Sequence, residues 1–174
     1  PRSLIKDGAG KLVLSSASST YSGSNTLISG DGDNTSILEV NTLADGGVNS
    51  SIGTSSSNAE NIVINSYNTF RYVGTGASIN RYFTITPGAV GCGLDASGSG
   101  ALRFTNSGAV AHGGDLAATR SLVLKGNNTN DNTLALALEN AGGGGFTTLI
   151  KTNSGRWVLS GNNTYSGDTI VKGG

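Results

Sequence analysis

The stretch Leu4-Ile-Lys-Asp-Gly-Ala-Gly-Lys-Leu-Val-Leu-Ser15 returns about 145 positions later as Leu149-Ile-Lys-Thr-Asn-Ser-Gly-Arg-Trp-Val-Leu-Ser160. Leu, Ile, Lys, Gly, Val, Leu and Ser coincide, and Lys11 is answered by Arg156. After a one-residue gap Thr20-Tyr-Ser-Gly23 matches Thr164-Tyr-Ser-Gly167. After a second gap Thr26-Leu-Ile-Ser-Gly30 matches Thr169-Ile-Val-Lys-Gly173, so the offset falls to about 143. The chain therefore reads as one long repeat unit, residues 4–148, followed by the start of the next, residues 149–174. Self-similarity of this kind marks folds that grow along one axis by stacking.

Between the two copies, short apolar clusters alternate with polar residues. Ile62 and Ile64 flank Val63, Phe70 and Tyr72 flank Arg71, and Phe83 and Ile85 flank Thr84. Leu102 and Phe104 flank Arg103, Leu122 and Leu124 flank Val123, and Leu134, Leu136 and Leu138 alternate with alanines. A period of two puts one set of side chains on one face of a strand. Turn formers separate the clusters, as in Gly74-Thr-Gly76, Gly98-Ser-Gly100 and Gly126-Asn-Asn128. No window keeps a helical apolar stripe. The expected fold is all-β. Sparse charge and abundant Ser, Thr and Asn favour a single β-solenoid over residues 1–174 rather than a sandwich. At about 20–25 residues per coil it would make roughly 7–9 coils and extend roughly 35–45 Å.

Composition narrows the function. The 174 residues include 28 Gly, 2 Pro and 1 Cys, with a formal charge of +0. A neutral chain lacks the basic excess that draws nucleic acid or an anionic membrane surface. No apolar run approaches the 18 or so residues of a membrane span, so no membrane insertion by this segment is expected. One cysteine permits neither an internal disulfide nor a cysteine-based zinc site. The start at Pro1 suggests an internal piece of a longer precursor.

The segment Gly155-Arg-Trp-Val-Leu-Ser-Gly-Asn-Asn-Thr-Tyr-Ser-Gly-Asp-Thr-Ile-Val-Lys-Gly-Gly174 resembles the autotransporter-associated β-strand repeat, also called the passenger-associated transport repeat. Residues Gly10 to Gly30 resemble a worn copy, with Ser-Ala-Ser-Ser where Gly-Asn-Asn stands later. The resemblance implies a right-handed parallel β-helix exported to the bacterial cell surface, where the motif serves folding and secretion rather than catalysis. The motif residues with structural roles are Gly10, Leu12, Leu14, Tyr21 and Gly23 in the first copy, and Gly155, Trp157, Leu159, Tyr165 and Gly167 in the second. Trp157 and Leu159 should fill the coil interior. Gly161 and Gly167 should permit tight turns. Tyr21 and Tyr165 should pack on the next coil with the hydroxyl toward water.

Residues that carry chemistry are few. His112 has Asp115 as its one nearby carboxylate and reads as a solvated or turn residue. Cys92, between two glycines, reads as a small buried residue, with pairing between chains as the alternative. Asp31 and Asp33 stand two apart, as hard cations like, yet lack the rest of a calcium loop, so they are weak metal candidates and read better as a turn. Gly142-Gly-Gly-Gly145 is not a phosphate loop, since no Gly-Lys-Ser/Thr follows. No cofactor is implied and no enzyme is expected.

The leading reading is a spacer or stalk module of an exported surface protein, whose partners are neighbouring repeats or identical chains stacking end to end. The second is an adhesin module whose solenoid face holds glycans or other cells, with Tyr21, Tyr67, Tyr72, Tyr82 and Tyr165 as residues that could stack on sugars. The third, a polysaccharide-active enzyme, would draw on Asp31, Asp33, Asp95 and His112.

Overall fold

A computed structural model describes residues 1–28 and 36–174. The described residues form sixteen short strands in three sheets. The first sheet stacks β1 (Leu4–Lys6), β3 (Asn25–Leu27), β5 (Ile62–Ile64), β8 (Thr84–Ile85) and β11 (Ala111–His112). The second stacks β2 (Lys11–Leu14), β4 (Ser36–Val40), β6 (Asn68–Tyr72), β9 (Cys92–Ala96), β12 (Arg120–Lys125), β14 (Thr147–Lys151) and β16 (Thr169–Val171). The third holds β7 (Ala77–Ile79), β10 (Leu102–Phe104), β13 (Asn132–Leu134) and β15 (Trp157–Leu159).

Every pairing between these strands is parallel. From β5 to β13 the chain visits the first, second and third sheets in turn and returns to the first one rung further on; before that it alternates between the first and second sheets, and after it between the second and third. This is a parallel β-solenoid, as the sequence predicts. Seven rungs in the second sheet place it at the low end of the expected coil number, because the coils vary in length. The inward row Leu12, Leu38, Phe70, Leu94, Leu124, Lys151, Val171 marks them: from 20 residues (Lys151 to Val171) to 32 (Leu38 to Phe70).

The alternating clusters point inward as their period requires. Ile62, Ile64, Phe70, Tyr72, Phe83, Ile85, Leu102, Phe104, Leu122, Leu124, Leu134, Leu136 and Leu138 are all buried in one continuous core. Phe83 and Phe104 meet edge to face with ring centroids 5.2 Å apart, the arrangement the ring quadrupoles prefer. Four strands, β4, β7, β9 and β11, lie outside both those clusters and the two motif copies. β4 has a Glu in its outward slot, and β9 carries Gly93 and Asp95.

Two arginines, Arg81 and Arg120, are as buried as the aliphatic core, each 1% exposed. A buried charge must be hydrogen-bonded, and here backbone carbonyls do it. Arg81 donates through Nε to Ala44 O at 2.8 Å and through Nη1 to Ser55 O at 2.9 Å. It thereby anchors the long irregular stretch between β4 and β5, which takes the place of a strand in the third sheet. Arg120 holds the 113–119 turn in the same way, donating to the carbonyls of Gly113, Asp115 and Ala118.

Candidate functional site

The two motif copies form the two end coils, and they share one framework of strands and ties. In each, a first strand accepts a third strand as its neighbour: Leu4 faces Asn25, and Leu149 faces Thr169. The tie before the third strand is repeated: Gly23 N–H donates to Arg2 O at 3.0 Å, and Gly167 N–H to Thr147 O at 3.1 Å. So is the tie after it, from Ile28 N–H to Lys6 O and from Lys172 N–H to Lys151 O. Tyr21 donates its hydroxyl to Asn25 Oδ1, four residues on, and the Tyr165 hydroxyl bonds Thr169 Oγ1. Lys6 and Lys151 each fold their ammonium over a turn and gather its carbonyls: Asp7 O and Gly8 O in one, Thr152 O and Asn153 O in the other.

These contacts correct three readings. The equivalent of Thr169 is Asn25, not Thr26, so the second gap of the sequence alignment falls after the third strand; ladder register and the tyrosine tie fix the pairing more firmly than one shared Thr. Gly23, Gly155, Gly161 and Gly167 do not sit at positive φ. They are glycines because a Cβ would collide with a backbone carbonyl of the preceding coil: Arg2 O, Gly126 O, Leu136 O and Thr147 O respectively. Gly10, at φ 83°, is the turn glycine of the set. The hydroxyl of Tyr21 is tied to Asn25 of its own coil in a part-buried place, where burial pushes the phenol up to about 12, whereas that of Tyr165, also tied within its coil, stays at the surface as expected.

The two copies occupy different faces. The first runs from the first sheet to the second and back to the first. The second runs from the second sheet to the third and back to the second. One repeat therefore advances the motif by one face of the three-sided coil.

Both end coils are half-covered. Leu4, Leu12, Leu14, Trp157, Leu159 and Tyr165 pack against the core on one side only. Trp157 also donates its indole N–H to Lys125 O at 2.9 Å. Ile5 and Val13 at one end, and Ile170 and Val171 at the other, stand among the exposed large apolar residues. Val171 is 67% exposed although it continues an inward row. β1, β2, β15 and β16 are outermost in their sheets, so each has a row of backbone groups without a strand partner.

Charge is sparse but ordered. On the outer face of the second sheet, Glu39, Arg71, Asp95 and Lys125 occupy successive rungs with alternating sign. Arg71 lies 2.9 Å from Asp95 and 3.6 Å from Glu39, and Lys11 lies 3.1 Å from Glu39. Stacking at roughly 4.8 Å would make a row of like charges repulsive; alternation makes it attractive.

Among the described residues the chemistry-bearing candidates do not converge. Asp31 and Asp33 lie outside the described residues. Asp95 is held by Arg71 and by Ser97 Oγ. Cys92 is fully buried, and burial pushes its thiol up to about 12. His112 is not a solvated loop residue: it pairs with Ile85 in β11, and both ring nitrogens are buried without a hydrogen-bond partner. Burial, then the charge of Arg120, hold its imidazole below the usual range, with Glu139 opposing. Among the described residues no three of His, Cys, Asp and Glu gather as a metal site would require. No helix there is long and apolar enough to cross a membrane. Of the five tyrosines, Tyr72 is buried and the others are half-buried.

The passenger-associated-transport-repeat family matches residues 4–30 and 149–174, the two end coils. The chain is also similar to the adhesin BmaC autotransporter of Brucella suis, 47% identical over 137 residues. That match takes in 79% of this chain and 4% of the relative, so the chain spans a small fraction of its length. No solved structure matches the chain significantly.

Proposed function

The chain carries the passenger-associated transport repeat of autotransporter passengers, which are exposed outside the bacterial outer membrane, and we propose that it serves there as a stacking spacer. Its unit is about 145 residues, residues 4–148, and residues 149–174 open the next. One observation carries the reading: the same motif coil stands at both ends, each with unpaired strand edges and uncovered apolar side chains. A coil of this kind gains stability when a neighbour covers it. The role is mechanical, and the buried or ion-paired state of Asp95, Cys92 and His112 supports a non-catalytic reading.

Sedimentation of the isolated chain from about 1 to 500 μM tests this. Growing assemblies are expected, and Ile5→Lys with Val171→Lys, which charge the two ends, should leave a folded monomer. A wild-type chain that stays monomeric throughout would sink the stacking reading. The name of the Brucella relative favours a second role in adhesion, which requires a binding surface on a lateral face.

A further inference from the structure

Among the described residues only two besides glycine hold a positive φ: Tyr67 at 72° and Asn153 at 58°. For a bulky side chain such a backbone is an outlier, and outliers of this kind gather at ligand sites. These two lie far apart in sequence, yet both line one open groove of about 380 Å3. Its floor is Val123 and Ile150, register partners on the outer face of the second sheet. Gly91 brings one wall against that floor, since a Cβ there would lie 2.9 Å from Val123.

The backbone at Tyr67 suits glycine better than tyrosine. The Asn68 N–H donates to Asn65 O at 3.2 Å, which makes Tyr67 the third residue of a β-turn, a place that at positive φ suits Gly or Asn. The hydroxyls of Tyr21, Tyr72, Tyr82 and Tyr165 are all tied within the protein. That of Tyr67 has no partner among the described residues. Asn68, which also lines the groove, is 1% exposed and its Oδ1 has no partner either.

Two lysines, Lys125 and Lys172, line the groove, and among the described residues no carboxylate does. Lys125 reaches across the β9 rung, where Gly93 has no side chain, to donate to Thr69 Oγ1 at 3.2 Å. Among the described residues it makes no other hydrogen bond, and the charge of Asp95 on the adjacent rung is its nearest counterion.

We propose that this groove binds an acidic saccharide. The Tyr67 ring and the aliphatic floor would take the apolar face of a sugar, Asn153 and Thr152 its hydroxyls, and the two lysines its carboxylate or sulfate. The floor runs across the strands at roughly 4.8 Å per rung, close to the length of one pyranose ring. A peptide fits less well. The strands beneath the groove, β9, β12 and β14, are paired on both sides, so no edge is open for an added strand. The inference goes beyond the spacer reading and does not depend on it.

The test is a titration of the intact chain, carrying Ile5→Lys and Val171→Lys so that it is monomeric, with a chondroitin sulfate tetrasaccharide. Cellotetraose and a glutamate-rich peptide serve as comparators, followed by amide NMR. Saturable binding of the acidic sugar alone is expected, with shifts centred on Tyr67, Val123, Ile150 and Lys172. Tyr67→Gly should weaken it at least tenfold while leaving the melting temperature unchanged or higher, because glycine relieves the backbone. Lys172→Gln should weaken it about threefold. No saturable binding, shifts centred elsewhere, unchanged affinity in Tyr67→Gly, or equal binding of the peptide would each overturn the proposal. End stacking is read separately by sedimentation.

Discussion

Leu12 and Leu38 are register partners in one inward row, yet only Leu38 is fully buried. The same contrast separates the whole end coil from the middle of the solenoid. Strand pattern, residue type and register are shared; what differs is whether another coil lies on top. Burial here is a property of the neighbour, and the core of any coil is completed from outside it. The end coils consequently differ in stability from the middle without differing in design.

The largest effect should therefore separate these two leucines. Leu38→Ala should cost about 2–5 kcal/mol, the range for a fully buried aliphatic side chain, and Leu12→Ala roughly half of that or less. Urea midpoints of the two variants check this, and equal losses would break the comparison. The charge row gives a second contrast. Arg71→Gln removes the partner of Asp95, which is 3% exposed, and should cost about 1.5–3 kcal/mol. Lys11→Gln, on the first rung, removes an exposed pair and should cost under about 1 kcal/mol. High salt should shrink the second loss more than the first.

The smallest effect concerns pH. Burial and Arg120 keep the folded His112 imidazole below its ordinary value of 6.5. Below pH 6.5 the unfolded chain takes up that proton more readily than the folded one. Its contribution is thus present above pH 6.5 and lost as pH falls toward the folded value. The urea midpoint of wild type should fall more steeply between pH 7 and 5 than that of His112→Gln. Parallel curves would show that the middle coils hold no such group.

Much of this architecture is legible in the sequence because local spacing determines it. The repeat, the inward leucines and phenylalanines, and the burial of Cys92 all follow from period and composition. β9 is hidden because Gly93 and Asp95 interrupt the apolar pattern; it is a strand because Thr69 and Val123 flank Gly93 from adjacent rungs. The charge row is hidden for a different reason. Its members are 24 to 32 residues apart (Arg71 to Asp95, Glu39 to Arg71), and only the coil lengths, which vary, bring them together. Arg81 and Arg120 look like surface residues until the turns they hold are seen to fold over them. The strained Tyr67 has no sequence signal beyond standing in a turn, and its groove exists only once separate coils are stacked.

The one-face advance of the motif gives the repeat a bearing as well as a length. An array built by the same step would turn like a screw, with three units needed before equivalent side chains again look the same way. Whatever is displayed on one lateral face of one unit would be displayed on another face by the next. A long stalk of such units would have no blind side, and a partner approaching from any direction would meet a copy of the same surface.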